Sequence, residues 1–405
     1  MLFKQIYQFL PLNLPFISAS RTLTTHFILH LYTCFFLAIA AVHFLFIAYF
    51  WLRFAVYKPS NTTTEDQPDR PFSVVIAAKN EEQNLEKNIK LWLSQQYHSP
   101  FEVIVVNDRS SDKSLDILNE YAEAFSHFKF VNIWQDNNQT NGKMLAITLG
   151  IKAATHPNIL LTDADCEPAS DFWLQNIAQG YQKPGVEMVI GYGKIAEKKS
   201  LLSYFIQYDT AITAINYFGF HLAKMTYMGV GRNLSYTKTL FFRHKGFSRL
   251  HQTSFGDDDL FVARNATKTN VNLCIAPQAH TISEPQANWN DWFVQKKRHL
   301  ITGKSYMRSH LFWLSVGYFS FIALLCGLCA AVFYFTQQQN WVQLQICGGA
   351  GLVVLCARWL VVSLAATKLT EGRVLVLLPI LDVVYPFFQL IWSFQAYFFK
   401  VKKWR

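Results

Sequence analysis

Acidic and amide side chains gather at a few places in this chain, each directly after a short apolar run. Lys79-Asn80-Glu81-Glu82 follows Phe72–Ala78, Asn107-Asp108-Arg109 follows Phe101–Val106, and Thr162-Asp163-Ala164-Asp165-Cys166 closes the run from Asn158. Asp163 and Asp165 offer two hard oxygens one residue apart, which suits Mg2+ or Mn2+ shared with the phosphate oxygens of a ligand. If the pair continues a strand, side-chain alternation points both carboxylates to one side. Acidic ends on successive strands would repel each other unless something cationic sits among them. Ser110 and Asp112 have a plainer use, since their types cap helices. Lys143 either adds positive charge to this edge or only solvates a helix start.

A second acidic cluster, Asp257-Asp258-Asp259, lies further on. Adjacent carboxylates raise one another's pKa, which helps one of them accept a proton. Their plainer roles are helix N-terminal charge and ion pairing. Gln295 and Arg298 stand three apart and so share a helix face. The guanidinium fork of Arg298 suits a diphosphate, with a lipid headgroup as the alternative partner. The same helix carries Trp289, Trp292 and Phe293 and is expected at a membrane surface.

The elements that must position these groups alternate in type. The pattern predicts strands over 72–78, 101–106, 129–133 and 158–162, with helices over 81–95, 112–125 and 143–153 between them. Such alternation implies an α/β fold: a Rossmann-like, mainly parallel sheet with flanking helices and right-handed crossovers. Ligands on these sheets bind at the carboxyl ends of the strands, where the polar clusters fall. The aromatic run from Tyr204 to Phe220 could stack sugars or rest on lipid, with core or interface packing as the plainer reading.

Taken in order, several segments resemble family-2 inverting glycosyltransferases of the GT-A fold. These are Val74–Glu82, Val103–Asp108, Gly142-Lys143 and Thr162–Asp165 on the nucleotide-sugar side. Gly229-Val-Gly-Arg-Asn-Leu-Ser-Tyr236 is similar to the acceptor-side GxxRNLxY segment, which brings in Arg232 and Asn233. Gly256-Asp-Asp-Asp-Leu260 looks like the acidic motif that carries the base. Gln295-Lys-Lys-Arg298 looks like the QxxR of membrane-bound polysaccharide synthases. The resemblance covers roughly residues 71–305.

It implies that Asp108 binds the base or ribose of a nucleotide-sugar, expected to be a UDP-sugar, with Asn80 and Glu81 in the same pocket. Asp163 and Asp165 would hold the metal and diphosphate, Asp165 the more directly, with Lys143 assisting. Asp258 would be the general base, with Asp257 and Asp259 as alternatives. Gln295 and Arg298 would complete the catalytic set. His299 stands where the family has Trp, a residue that borders the acceptor sugar there. That departure speaks against long-chain processive synthesis. A role for His299 itself as the base is a minor alternative.

Composition supplies the rest of the plan. Of 405 residues, 51% are hydrophobic and only 16% charged, whereas soluble domains carry about 25% charged residues. An aromatic content of 16% excludes disordered and collagen-like chains. After an N-terminal segment (1–26), residues 27–52 are long and apolar enough to cross a bilayer. They begin too far in, with no small-residue site behind them, to be a cleaved signal peptide. A polar linker (53–70) leads to the α/β domain (71–309). A C-terminal membrane region (310–399) then holds helices over 311–335, 341–366 and 374–399. Pro379, Asp382 and Pro386 make the last of these broken or partly interfacial. Arg358 and Asp382, costly in lipid, are expected to pair with each other or to face the soluble domain.

The net charge of +10 collects near these segments. Lys296, Lys297, Arg298, Lys304 and Arg308 precede the membrane region, and a basic tail (400–405) follows it. Positive residues mark the cytoplasmic side, which puts the α/β domain in the cytoplasm of a multi-pass plasma (inner) membrane protein. Three full crossings after residue 309 would place the basic tail outside, against that rule. Either the last segment is re-entrant or the rule fails here. No nucleic-acid-binding pattern occurs, and anionic lipid accounts for the charge. The cysteines, including the Cys326/Cys329 pair, and the histidines lack metal-site spacing.

These features point to a membrane-anchored, metal-dependent inverting glycosyltransferase that acts on a lipid-linked or glycan acceptor. A processive polysaccharide synthase is the nearest alternative. A non-catalytic membrane scaffold and a transporter are more distant ones.

Overall fold

The computed structural model describes residues 15–59, 69–134, 142–248, 257–303 and 305–398. The chain divides into two compact units, one of residues 1–46 and 316–358, the other of residues 47–315 and 359–405.

The larger unit is built on the predicted alternation. It runs β1 (Phe72–Ala78), α3 (Glu82–Leu93), β2 (Phe101–Asp108), α4 (Ser114–Ala124), β3 (Phe128–Ile133), α5 (Gly142–Ala153) and β4 (Asn158–Asp163), after the helices α1 (Pro15–Phe46) and α2 (Leu52–Val56). Next come β5 (Cys166–Pro168), α6 (Trp173–Gln179), β6 (Met188–Ile190), β7 (Gly193–Ile195), α7 (Leu201–Leu222), β8 (Leu234–Thr237), α8 (Lys238–Arg243), α9 (Asp257–Asn265), β9 (Val271–Leu273), β10 (Thr281–Ser283) and α10 (Trp289–Gly303). The chain continues through α11 (Arg308–Gln337), α12 (Trp341–Lys368) and α13 (Leu378–Phe398).

Seven strands form one sheet in the order β3-β2-β1-β4-β8-β6-β9. The first four are parallel, and β8 runs against both β4 and β6. β1 and β2 are valine- and isoleucine-rich because both of their faces are covered. On one face α3 lays down Leu85, Ile89 and Trp92 at helical spacing, beside Leu118 of α4 and Trp173 of α6. On the other face α5 lies close, since a Cβ on Gly150 would come within 3.0 Å of Val106 Cγ2. A second, three-stranded sheet, β5-β10-β7, stands at the end of β4.

Among the described residues, four helices are long and apolar enough to cross a membrane: Phe27–Val56, Arg308–Gln337, Trp341–Lys368 and Gly372–Gln395. The first runs past the expected residue 52 through a π-turn at Ile47–Trp51. The last is preceded by a 3-10 turn at Gly372–Leu377 and keeps Pro386 inside the helix. In the smaller unit the buried Arg358 meets His43 at 3.3 Å and lies 3.8 Å over the Phe321 ring. Asp382 belongs to the larger unit, where it accepts hydrogen bonds from Tyr208 of α7 and from Trp359. The expectation that Asp382 faces the α/β domain therefore holds.

Lys296, one of the basic residues that precede the membrane region, turns inward. It is buried, and its Nζ lies 2.6 and 2.8 Å from the two carboxylate oxygens of Asp209, which also accepts from Tyr385. The aromatic run 204–220 is largely buried along α7, as expected.

Candidate functional site

The site lies where β1, β2 and β4 end. β1 and β2 are each followed by a residue in the left-handed region, Asn80 (φ 57) and Arg109 (φ 56). Asn tolerates that conformation, whereas Arg is held there at a cost of order 1–3 kcal/mol, which marks functional edges. The Asn80 carboxamide oxygen accepts from the Ser111 amide at 2.8 Å, and its own amide donates to Ser110 Oγ. Asn80 thus ties the two strand ends together. Asp112 is a cap, as expected, for two helices at once: it accepts from the amide of Glu82 at 3.0 Å and of Ser114 at 3.1 Å.

Asp108 is buried, and one of its oxygens is bound by Arg109 at 2.7 Å. The other oxygen is buried with no hydrogen-bond partner among the described residues. A buried carboxylate oxygen left open is expensive unless a ligand donor completes it, which suits a nucleoside N–H or a ribose hydroxyl.

Asp163 and Asp165 converge, but not by strand alternation. β4 ends at Asp163, and a two-residue turn leads into β5, so the turn brings the carboxylates together. The ligand atoms of Asp163, Asp165 and Cys166 all lie within 4.8 Å of one another. α3 fixes this turn from below: Asn88 donates to the Ala164 carbonyl at 2.9 Å and Trp92 to the Cys166 carbonyl at 3.1 Å. Neither residue stood out in the sequence, because both sit on the apolar stripe of α3. An Asn in that stripe was the available signal.

Lys143, at the start of α5, pairs with Asp163 at 2.8 Å and is more than a solvated helix end. Asp165 reaches solvent at its tip but is densely surrounded by protein. That packing, and then the charge of Asp163, raises its pKa, while Arg232 and Lys143 pull it back. The Glu81 carboxyl is raised chiefly by burial, with Asp165, Asp163 and Asp112 adding to it. Burial pushes the Cys166 thiol well up, so it stays protonated and is a poor ligand. Two crowded carboxylates beside a protonated thiol fit a hard divalent cation held by Asp163 and Asp165.

A three-residue turn, Gly231–Asn233, joins this edge to the second acidic cluster. The Arg232 carbonyl accepts from Thr162 and Thr281, and its guanidinium donates to Ser283 Oγ at 3.1 Å. The Gly231 amide donates to Asp258 Oδ2, and the Asp259 amide donates to Asp258 Oδ1 at 2.9 Å. A Cβ on Gly231 would sit 2.5 Å from Asp258 Oδ2, so only glycine lets the carboxylate approach. Asp259 faces away toward Tyr306, whose hydroxyl it accepts at 3.1 Å. The side chain of Asp257, with Gly256 and His251, lies outside the described residues.

Asn233 is corrected as an acceptor-side group. It is fully buried, with its amide bound to the carbonyls of Tyr192 and Ala279 and its oxygen bound by Trp173. It holds the turn in shape and presents nothing to a ligand.

Gln295, Arg298 and His299 all lie on α10. Arg298 is half-buried, and that burial lowers its pKa. His299 is pushed down to about 3, first by desolvation and then by the positive charges of Lys296, Arg232, Arg298 and Lys143. One of its faces is open, yet cations crowd it, so the ring is neutral. The buried Glu371, just before Gly372–Leu377, was not anticipated. It accepts from Tyr192 at 2.9 Å, and burial raises its pKa to about 7.

Residues 73–241 match the glycosyl transferase family 2 profile. The poly-beta-1,6-N-acetyl-D-glucosamine synthase of Staphylococcus epidermidis is 26% identical over 241 residues, 56% of this chain and 55% of the relative. The probable glycosyltransferase YdaM of Bacillus subtilis is 34% identical over 142 residues, 34% of this chain and 33% of that one. The chain thus spans about half, or less, of the length of these relatives. Among solved structures, a mannosyltransferase from Pyrobaculum calidifontis, in complex with GDP-Man and Mn2+, is similar in fold. It has a TM-score of 0.55 at 16% identity, over 84% of this chain and 99% of that one. The parallel sheet, its loaded carboxyl edge and these likenesses agree: residues 73–241 form a family-2 glycosyltransferase domain on a GT-A fold.

Proposed function

We propose that this protein is a membrane-anchored inverting glycosyltransferase that moves a sugar from a nucleotide-sugar donor to a lipid-linked or glycan acceptor. The observation that carries the reading is the turn Gly231–Asn233. Its first amide holds Asp258, and its arginine acts on Asp165, so a proton acceptor and a diphosphate-side carboxylate pair flank one rigid segment.

In this reading the open oxygen of Asp108 receives the nucleoside, with Asn80 and Glu81 shaping the pocket. Asp163 and Asp165 would hold Mg2+ or Mn2+, which neutralises charge on the departing diphosphate when bound. Arg298 and Lys143 supply further positive charge to the same group. Asp258 takes the proton of the acceptor hydroxyl as that oxygen bonds to the anomeric carbon. The sugar–phosphate bond breaks on the opposite face, and its electron pair leaves with the diphosphate. Two amide hydrogen bonds fix the Asp258 carboxylate so that it need not reorganise. Arg232, Gln295 and His299 border the acceptor side. His299 is neutral and crowded by cations, which makes it a poor competitor for the proton.

The donor nucleotide is proposed to be UDP, with GDP as the competitor because the solved mannosyltransferase carries GDP-Man. Its basic flanks support a cytoplasmic side for the domain at a plasma membrane. The polymer synthases among the relatives favour a processive enzyme as the second reading. The anomeric configuration and length of the product made by the full chain test both readings. An inverted, single addition supports the proposal, retention overturns it, and a long inverted polymer supports the second reading.

A further inference from the structure

We propose that α13 does not cross the bilayer but lies along its surface on the catalytic side, with its outward face in lipid. The inference rests on the reading that the chain spans a membrane. The helices that qualify as spans are not alike. Three of them contribute long pieces to the smaller unit: Phe27–Phe46 (20 residues), Val316–Gln337 (22 residues) and Trp341–Arg358 (18 residues). At 1.5 Å per residue these pieces are roughly 27–33 Å long, close to the ~30 Å hydrocarbon core. α13 contributes nothing to that unit and lies wholly within the catalytic one.

Its packing explains why. Asp382, Tyr385, Phe388 and Trp392 recur every three or four residues and form one face. Along that face, Tyr208 donates to Asp382 at 2.5 Å and Tyr385 donates to Asp209. Phe388 lies 5.4 Å from Phe205, and Trp392 lies 4.7 Å from Trp292. These contacts occupy about 15 Å of helix against α7 and α10. A helix leaving the domain to cross the bilayer would keep such contacts at one end only.

The opposite face carries Ile380, Phe387, Ile391 and Phe394, which are 62%, 39%, 52% and 64% exposed. On neighbouring elements, Leu201 and Val294 are exposed as well. A helix that is hydrophobic on both faces, one already seated on protein, needs an apolar partner for the other. The charge that follows identifies this partner as the bilayer. Lys400, Lys402, Lys403 and Arg405 come directly after α13, and such clusters stay on the cytoplasmic side against anionic headgroups. Three crossings leave this run on the side of the catalytic domain, which removes the conflict that a fourth crossing creates.

Two measurements on the full chain test the proposal. Topology reporters are placed after Arg405 and, separately, in the 338–340 turn. The expected result is a catalytic-side signal after Arg405 and an opposite-side signal in the turn. Opposite-side signals at both positions overturn the proposal. Catalytic-side signals at both sink the membrane reading itself, so the two failures are distinguishable. In a background cleared of the seven native cysteines, Ile391→Cys and Phe394→Cys are labelled with a fluorophore and reconstituted with brominated lipids. Shallow bromines should quench more strongly than deep ones. Stronger deep quenching overturns the proposal, as does protection from both accompanied by cross-linking between two copies.

Discussion

Asp258 and Asp165 share a neighbour, the Gly231–Asn233 turn, but the proposed reaction gives them different work, and substitutions should separate them. Asp258→Asn can keep only one of the two amide contacts and removes the proton acceptor, so turnover should fall about 10²–10⁴-fold with donor binding retained. Asp165→Asn should instead weaken metal dependence, which metal titration of turnover would show. Gly231→Ala forces a carbon to 2.5 Å from the base and should mimic Asp258→Asn without touching its chemistry. Glu371 offers a pH signature. Its pKa is raised from 4.5 to about 7 by burial, with Tyr192, Lys194, Glu197 and Arg232 around it. The folded state therefore holds a proton that the unfolded chain releases. The stabilisation is complete below about pH 4.5 and is lost as pH rises through about 7. Melting of wild type relative to Glu371→Gln, followed from pH 5 to 8, should show wild type losing ground as pH rises.

At the scale of elements, the strands were legible because β-branched runs buried on both faces have few other readings. β1 was expected over 72–78 and is found there. α3 and α5 differ from expectation only at their ends. Capping explains those shifts, since Asp112 starts α4 two residues late and closes the α3 start as well. The convergence of Asp163 and Asp165 was legible, although its cause was not, because a turn and a strand continuation look alike over three residues. The inward turn of Lys296 was not legible, because a basic run beside a hydrophobic segment gives no sign of it. Its partner Asp209 lies 87 residues away, on α7. Removing one partner of such a buried pair costs about 3–5 kcal/mol. Lys296→Met should lower thermal stability by that amount, and adding Asp209→Leu should recover much of it. If the single change is silent, the pair does not anchor α10.

For the whole molecule, one arrangement recurs. The polar groups collect at the carboxyl edge of a GT-A sheet, and α7, α10 and α13 pack on one another in the same unit. Donor chemistry can be read from the first 170 residues or so, where each functional group follows a strand. The surroundings of the second acidic cluster were harder to read, since Tyr306 meets Asp259 only through the tertiary fold. The central claim is metal-dependent transfer with Asp258 as the base. Its most direct test is nucleotide release by the purified full chain, with membrane lipid extract as acceptor, across UDP-, GDP- and dTDP-sugars. Each donor is run with Mg2+, Mn2+ or EDTA, beside Asp258→Asn. The account predicts release of one nucleotide, abolished by EDTA and lost in the variant. Release that persists in EDTA, or at an unchanged rate in Asp258→Asn, would contradict it.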